Sequence, residues 1–163
     1  MTETERLKLQ LVCDQLIANY KSLLLATRSV EGDADISYAP YTRDEESFYI
    51  FVSELAKHTK NLINHPQASI LFIQPETEAN NLFARQRLTL DCQVREIYKT
   101  DSTYQHHLDA MTEKFGEIIN LLRTLPDFHL FALTPNRGQF VGGFGQAIPV
   151  DAKGKLQWPT TPD

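Results

Sequence analysis

Very little in this chain invites cross-linking or metal chemistry. Only two cysteines, Cys13 and Cys92, occur in 163 residues. They stand far apart in no partner motif, so no disulfide framework is implied, and a reducing cytoplasm is the simplest home. Positive charge is not in excess: 16 Lys and Arg face 21 Asp and Glu, for a net charge of -5. That argues against general nucleic-acid binding by phosphate neutralisation. No apolar run approaches the roughly 20 residues of a membrane helix. The acidic start, Met1-Thr2-Glu3-Thr4-Glu5-Arg6, lacks the apolar stretch of a signal peptide. Repeats and low-complexity tracts are also missing. None of the histidines (His58, His65, His106, His107, His129) has zinc-type spacing, so no metal site is expected. Ser37 and Ser53 lack a nucleophile-elbow context, which argues against hydrolysis and acyl transfer.

What is present suits one soluble domain with a real core. Hydrophobic residues make up 42% and charged residues 23%. Helical spacing runs from Thr4 to Tyr20. Three short strands with polar turns follow, over 22–27, 36–41 and 48–52, and read as an antiparallel meander. Ser53 stands where an N-cap belongs, and Leu55, Leu62 and Ile63 share one face of the helix it would open. That helix must stop near Asn64 or His65, ahead of Pro66. Residues 69–73 form a central strand. Arg85 to Ile97 alternates, with Leu88, Leu90, Cys92 and Val94 on the core face. Thr103 to Leu122 is helical with a break near Gly116, and Phe128 to Leu133 is a sixth strand. Thr134 to Gly138 reads as a turn, and residues 151–163 as an extended, loosely held tail. About six strands with a single inserted helix fit a small closed or half-closed barrel better than a parallel sheet.

The charge pattern after the third strand is unusual. A helix start carries partial positive charge and favours acids. Here Lys57, His58 and Lys60 follow Glu54 at once, with Asn61 beside them. Cations at that place make sense around an anion, a phosphate or a carboxylate, although a solvated helix face gives the same pattern. Arg85 and Arg87 share a strand face and could hold an anion bidentately. They could equally pair with Glu76, Glu78 or Asp91. His106 and His107 point apart as a surface pair, and His129 is outward or half-buried. The run from Gly138 to Gly145 has no P-loop lysine and reads as close backbone packing.

Four ordered motifs resemble one family. They are Ser37-Tyr38-Ala39-Pro40-Tyr41; Ser53-x-Leu55-Ala56-x-His58-x-x-Asn61-Leu62; Leu82-Phe83-Ala84-Arg85-x-Arg87-Leu88-Thr89; and Gly138-x-Phe140-Val141-x-Gly143-Phe144-Gly145-Gln146-Ala147. Together they resemble the heme-utilisation subgroup of the pyridoxamine 5'-phosphate oxidase-like, FMN-binding split-barrel superfamily, over about Ser22 to Ala147. The resemblance implies an α+β fold, mainly β with flanking helices: a six-stranded antiparallel split β-barrel in residues 1–150, followed by the tail. It also implies a homodimer with two clefts at its interface.

By that resemblance Lys57, His58 and Lys60 hold an FMN phosphate, with Ser53 and Asn61 beside them. Arg85, Gln86 and Arg87 add phosphate or ring contacts, and Tyr49 to Ser53 border the flavin. Heme-degrading members instead place heme at the interface. They use an axial histidine in a C-terminal extension, supported by an acid that Asp127 matches. No histidine follows His129 in this sequence, which shifts the expectation toward FMN and a flavin-type oxidoreductase acting on a small redox substrate. Heme binding is the first alternative, and a non-catalytic dimeric binding module the second. No side chain is singled out as catalytic.

Overall fold

The computed structural model describes residues 1–159. Helix α1 (Glu3–Ala18) opens with a reciprocal cap: Thr2 accepts from the Glu5 amide while the Glu5 carboxylate accepts from the Thr2 amide. It buries Cys13, Leu16 and Ile17 against the sheet. The chain continues through β1 (Ser22–Arg28), β2 (Ala34–Pro40), the two-residue β3 (Thr42–Arg43) and β4 (Phe48–Ser53). After α2 (Lys57–Asn64) come β5 (Gln67–Ile73) and β6 (Arg87–Ile97). The pair α3 (Tyr104–Phe115) and α4 (Glu117–Arg123) precedes the long β7 (Phe128–Gly143) and β8 (Gln146–Asp151).

The sheet is antiparallel throughout, in the order β2-β1-β5-β6-β7-β4-β3, with β8 added to β7. It curls so that β2 lies alongside β4 without pairing to it. An open strand order with its two ends close together is consistent with a split barrel. Burial explains the strand sequences. β1 and β5 alternate, because only one face meets the core. From Phe48 to Val52, β4 is buried at every residue. Its Phe48, Ile50 and Val52 face the barrel core, and its Tyr49 and Phe51 face a second core under α3 and α4.

Several expectations change. Among the described residues there are eight strands where about six were expected, because β3 is too short to read and β8 contains Pro149. The first three strands are not a meander: β4 pairs with β7, not with β2. The stretch from Thr134 to Gly138 is not a turn. It is a bulge inside β7, where Leu90 pairs with Gly138 but Cys92 pairs with Pro135. Pro135 is tolerated there because β4 covers β7 only as far as Leu133 and β8 begins at Arg137. Of the three apolar residues expected to share one buried helix face, only Leu62 is buried; Leu55 is 94% exposed and precedes the helix, and Ile63 is exposed. The break at Gly116 is borne out.

The tail is held rather than loose over its described part. Leu156 is buried and bridges to Val150. The Gln10 amide donates to Gly154 O at 2.9 Å and accepts from the Leu156 amide at 2.9 Å. Arg6 lies 5.4 Å from the Trp158 ring. The expectation for residues 160–163 lies outside the described residues.

Candidate functional site

The strand-to-helix turn after β4 is built differently from its sequence reading. Ser53 does not cap α2. The N-cap position is Ala56, which offers no side-chain acceptor. A tight turn intervenes, closed by the Ala56 amide on Ser53 O at 3.1 Å. Ser53 Oγ accepts from the Leu55 amide at 3.1 Å and donates to Asp127 Oδ2 at 2.6 Å. Thr59 Oγ1 donates to Ser53 O at 2.5 Å. Asp127 O in turn accepts from the Glu54 amide at 2.9 Å. Ser53 and Asp127, 74 residues apart, therefore form one unit. They meet because Ser53 pairs with Phe128 at the end of the β4–β7 ladder.

α2 then splits its polar residues by face. Lys57 and Lys60 are exposed, whereas His58 and Asn61 are buried. His58 Nδ1 lies 2.7 Å from Ser37 Oγ, and burial lowers its affinity for a proton. It is thus a neutral ring near neutral pH and not one of a cluster of cations. Asn61 Nδ2 donates to Thr27 Oγ1 at 3.0 Å and to Asp35 Oδ2 at 2.8 Å, tying α2 to the β1–β2 hairpin. Asn61→Ala would strand both partners. It is expected to cost about 2 kcal/mol, seen as a lower melting temperature. Lys57, Lys60 and Asn61 line a cleft of about 280 Å³ whose other wall is Ser29, Glu31, Asp33 and Asp35.

Arg85, Gln86 and Arg87 lie elsewhere. Arg85 donates twice to Gln74 O, at 3.0 and 2.6 Å, and sits 3.5 Å from Glu76. The ion-pair alternative weighed for it is what forms. Gln86 bonds the Gln74 side chain and Gly142 O, and Arg87 donates to Arg85 O. These residues open β6. Ile97, which ends it, pairs with Leu130, close to the Ser53–Phe128 pair. Ten residue steps at about 3.3 Å put them roughly 30 Å away along the strand.

Two features were not legible in sequence. His129 is clamped between Glu96 at Nδ1 and Glu54 Oε1 at Nε2, the latter at 2.7 Å. Its partners come from two other segments, so no local signal marks them. His107 is half-buried and stacks on Tyr49 at 3.9 Å, while His106 is exposed. Burial pushes the thiols of Cys13 and Cys92 up to about 12, which leaves both inert. Among the described residues no helix is long and apolar enough to cross a membrane, and no His, Cys, Asp and Glu group is placed to hold a metal ion.

Comparison with known proteins fits this arrangement. The heme oxygenase HutZ of Vibrio cholerae is 44% identical over 130 residues, covering 80% of this chain and 74% of that protein. A crystal structure of Vibrio cholerae HutZ, there called a heme storage protein, superposes with a TM-score of 0.74 at 38% identity, covering 78% of this chain and 90% of the other. ChuZ of Campylobacter jejuni superposes with a TM-score of 0.77 at 29% identity, covering 88% of this chain and 58% of the other. The pattern that defines the pyridoxamine 5'-phosphate oxidase family matches residues 12–142. The chain therefore belongs to the pyridoxamine 5'-phosphate oxidase family, with heme-utilisation proteins as its relatives.

Proposed function

We propose that this protein binds heme as a homodimer, with the β4–α2 turn and the exposed lysines of α2 forming one wall of the heme cleft. The observation that carries this reading is the 44% identity to a protein named a heme oxygenase, and it reverses the expectation that FMN is the first choice. The residues fit the group. The first turn of α2 has no side-chain cap, so its free amides can donate to a carboxylate. Lys57 and Lys60 beside it are exposed, which suits the heme propionates, and the exposed Leu55 offers apolar surface to the ring. When bound, heme supplies iron for oxygen chemistry or is simply stored; the chain's own residues hold its carboxylates and shape the cleft.

A partner copy is part of this reading. Leu24, Ile36 and Tyr38 are 37%, 80% and 64% exposed. They lie on the outer face of the β1–β2 hairpin, where Leu24 pairs with Tyr38. Such a patch suits a self-complementary two-fold contact. A two-fold would also allow Arg87 of one chain to approach α2 of another, which one chain alone cannot do.

FMN is the second reading, favoured by the family match over residues 12–142. Its phosphate would use the same amides and lysines. Hemin and FMN titrations followed by absorbance separate the two readings. Hemin is expected to give a saturable Soret band, and Lys60→Glu to weaken it about tenfold, or 1.4 kcal/mol. Unchanged hemin affinity in that variant would remove Lys60 from the site. Saturation by FMN with no Soret band would reverse the order of the readings.

A further inference from the structure

We propose that Glu54, His129 and Glu96 form a charged clasp that positions the β4–α2 turn, and that it closes only while His129 carries both ring protons. The placement is specific. His129 pairs with Val52 on β4, one residue before the Ser53–Phe128 pair. Its ring spans two segments, with Nδ1 on the Glu96 carboxylate of β6 and Nε2 on Glu54 beyond the end of β4. Glu54 is the second residue of the turn, and its amide is bonded to Asp127 O. The side chain and the backbone of one residue are thus both anchored to the start of β7. From there the bonds continue through Asp127 to Ser53, and through Ser53 to Leu55 and Thr59 at the head of α2.

Chemistry sets the condition. A carboxylate only accepts, so a ring facing one carboxylate at each nitrogen needs two N–H groups. The neutral ring has one. On deprotonation one glutamate faces a lone pair and must leave. Glu54 is the one released, because its side chain is 59% exposed whereas that of Glu96 is 16% exposed. The groups facing the ring are Glu54 from the turn and Glu96 from β6, and the proton affinity of the Tyr98 hydroxyl is raised by its nearness to Glu96. Asp127, just before β7, is turned to Ser53. The two carboxylates raise the ring's proton affinity above the ordinary value near 6.5, outweighing the opposing effect of burial. With the folded value raised, the stabilisation is fully present below about 6.5 and is lost as pH rises through the folded value.

The inference rests on the heme reading only in making this turn a cofactor wall, so its test does not depend on heme. Histidine ring NMR on the full chain should show one ring titrating above the others, absent in His129→Gln and moved down in Glu54→Gln. Hydrogen-exchange protection of the Glu54 and Leu55 amides, corrected for intrinsic rates, should fall at least about fivefold between roughly pH 6 and pH 9 in the wild type. It should stay nearly flat in Glu54→Gln, whose amide can still donate to the neutral ring. An ordinary His129 titration, or the same pH response in both proteins, overturns the clasp. Glu96→Gln gives the second comparison and should lower the His129 titration as Glu54→Gln does. Hemin affinity measured over the same pH range should follow the protection of the turn. Absence of hemin binding defeats the heme reading and leaves the exchange result to decide the clasp; a pH-independent hemin affinity with normal binding defeats the clasp as a positioning device.

Discussion

Phe72→Ala is expected to destabilise the protein by about 4 kcal/mol. Phe72 is 1% exposed at the middle of the barrel. Its ring meets Tyr41 edge-on at 5.5 Å and Phe48 at 5.5 Å, and those two rings lie 5.6 Å apart. The triangle joins β5 to β4 and to the link between β2 and β3. Tyr41 also donates from its hydroxyl to Ile17 O at 2.5 Å and to Tyr20 O at 2.9 Å, closing the C-terminal end of α1. The truncation therefore leaves a cavity and loosens the tyrosine that anchors a helix. With a urea slope of about 2 kcal/mol/M, the midpoint should fall by roughly 2 M. Phe72→Leu, which keeps most of the volume, should lose less than half as much. Equal losses would show that ring contacts, not volume, set the stability here.

Gly138→Ala is expected to cost about 3 kcal/mol or more. A Cβ at this position would stand 2.2 Å from Thr89 O and 2.6 Å from Leu90 Cδ2. The first of these is a backbone atom in the β6–β7 ladder, where Leu90 pairs with Gly138 directly beside the bulge. It cannot move without opening the ladder. Gly32 is the informative contrast. Its φ is +90° and nothing lies within 4 Å of its added Cβ, so Gly32→Ala meets only the backbone penalty, about 1–2 kcal/mol. Parallel thermal melts of the two variants should show Gly138→Ala the lower. The reverse order would mean that β6 and β7 can part at the bulge.

The helices and most strands were readable because their signals are local. Alternation at Leu88, Leu90, Cys92 and Val94 marked a strand with one buried face, and all four are buried. Gly116 marked the break between α3 and α4. Reading failed where a residue's fate depends on a distant segment. Ser53 looked like a cap because serine before a helix usually is one, yet its hydroxyl goes to Asp127. The run from Thr134 to Gly138 looked like a turn because proline rarely occupies a paired strand. It does so here only where β7 changes neighbours between β4 and β8.

The candidate site shows the same division. Lys57 and Lys60 were recognised from charge alone, and they are exposed on α2. His58 and Asn61 belonged to the same sequence cluster but are turned inward to Ser37, Thr27 and Asp35. Helical rotation separates neighbours one residue apart by about 100°, so which of them faces the core depends on where α2 lies.

The mainly antiparallel architecture, the family and the place of the lysine-flanked helix start were all readable from the sequence. Each follows from composition, period or an ordered motif carried along the chain. Which of those polar residues stay exposed, that Asp127 serves Ser53 and that His129 is gripped by two glutamates emerged from the folded arrangement. Those are contacts between segments that direct strand pairing sets side by side. Hydrogen bonds and charge–charge contacts act over a few ångströms of space, whatever the separation along the chain.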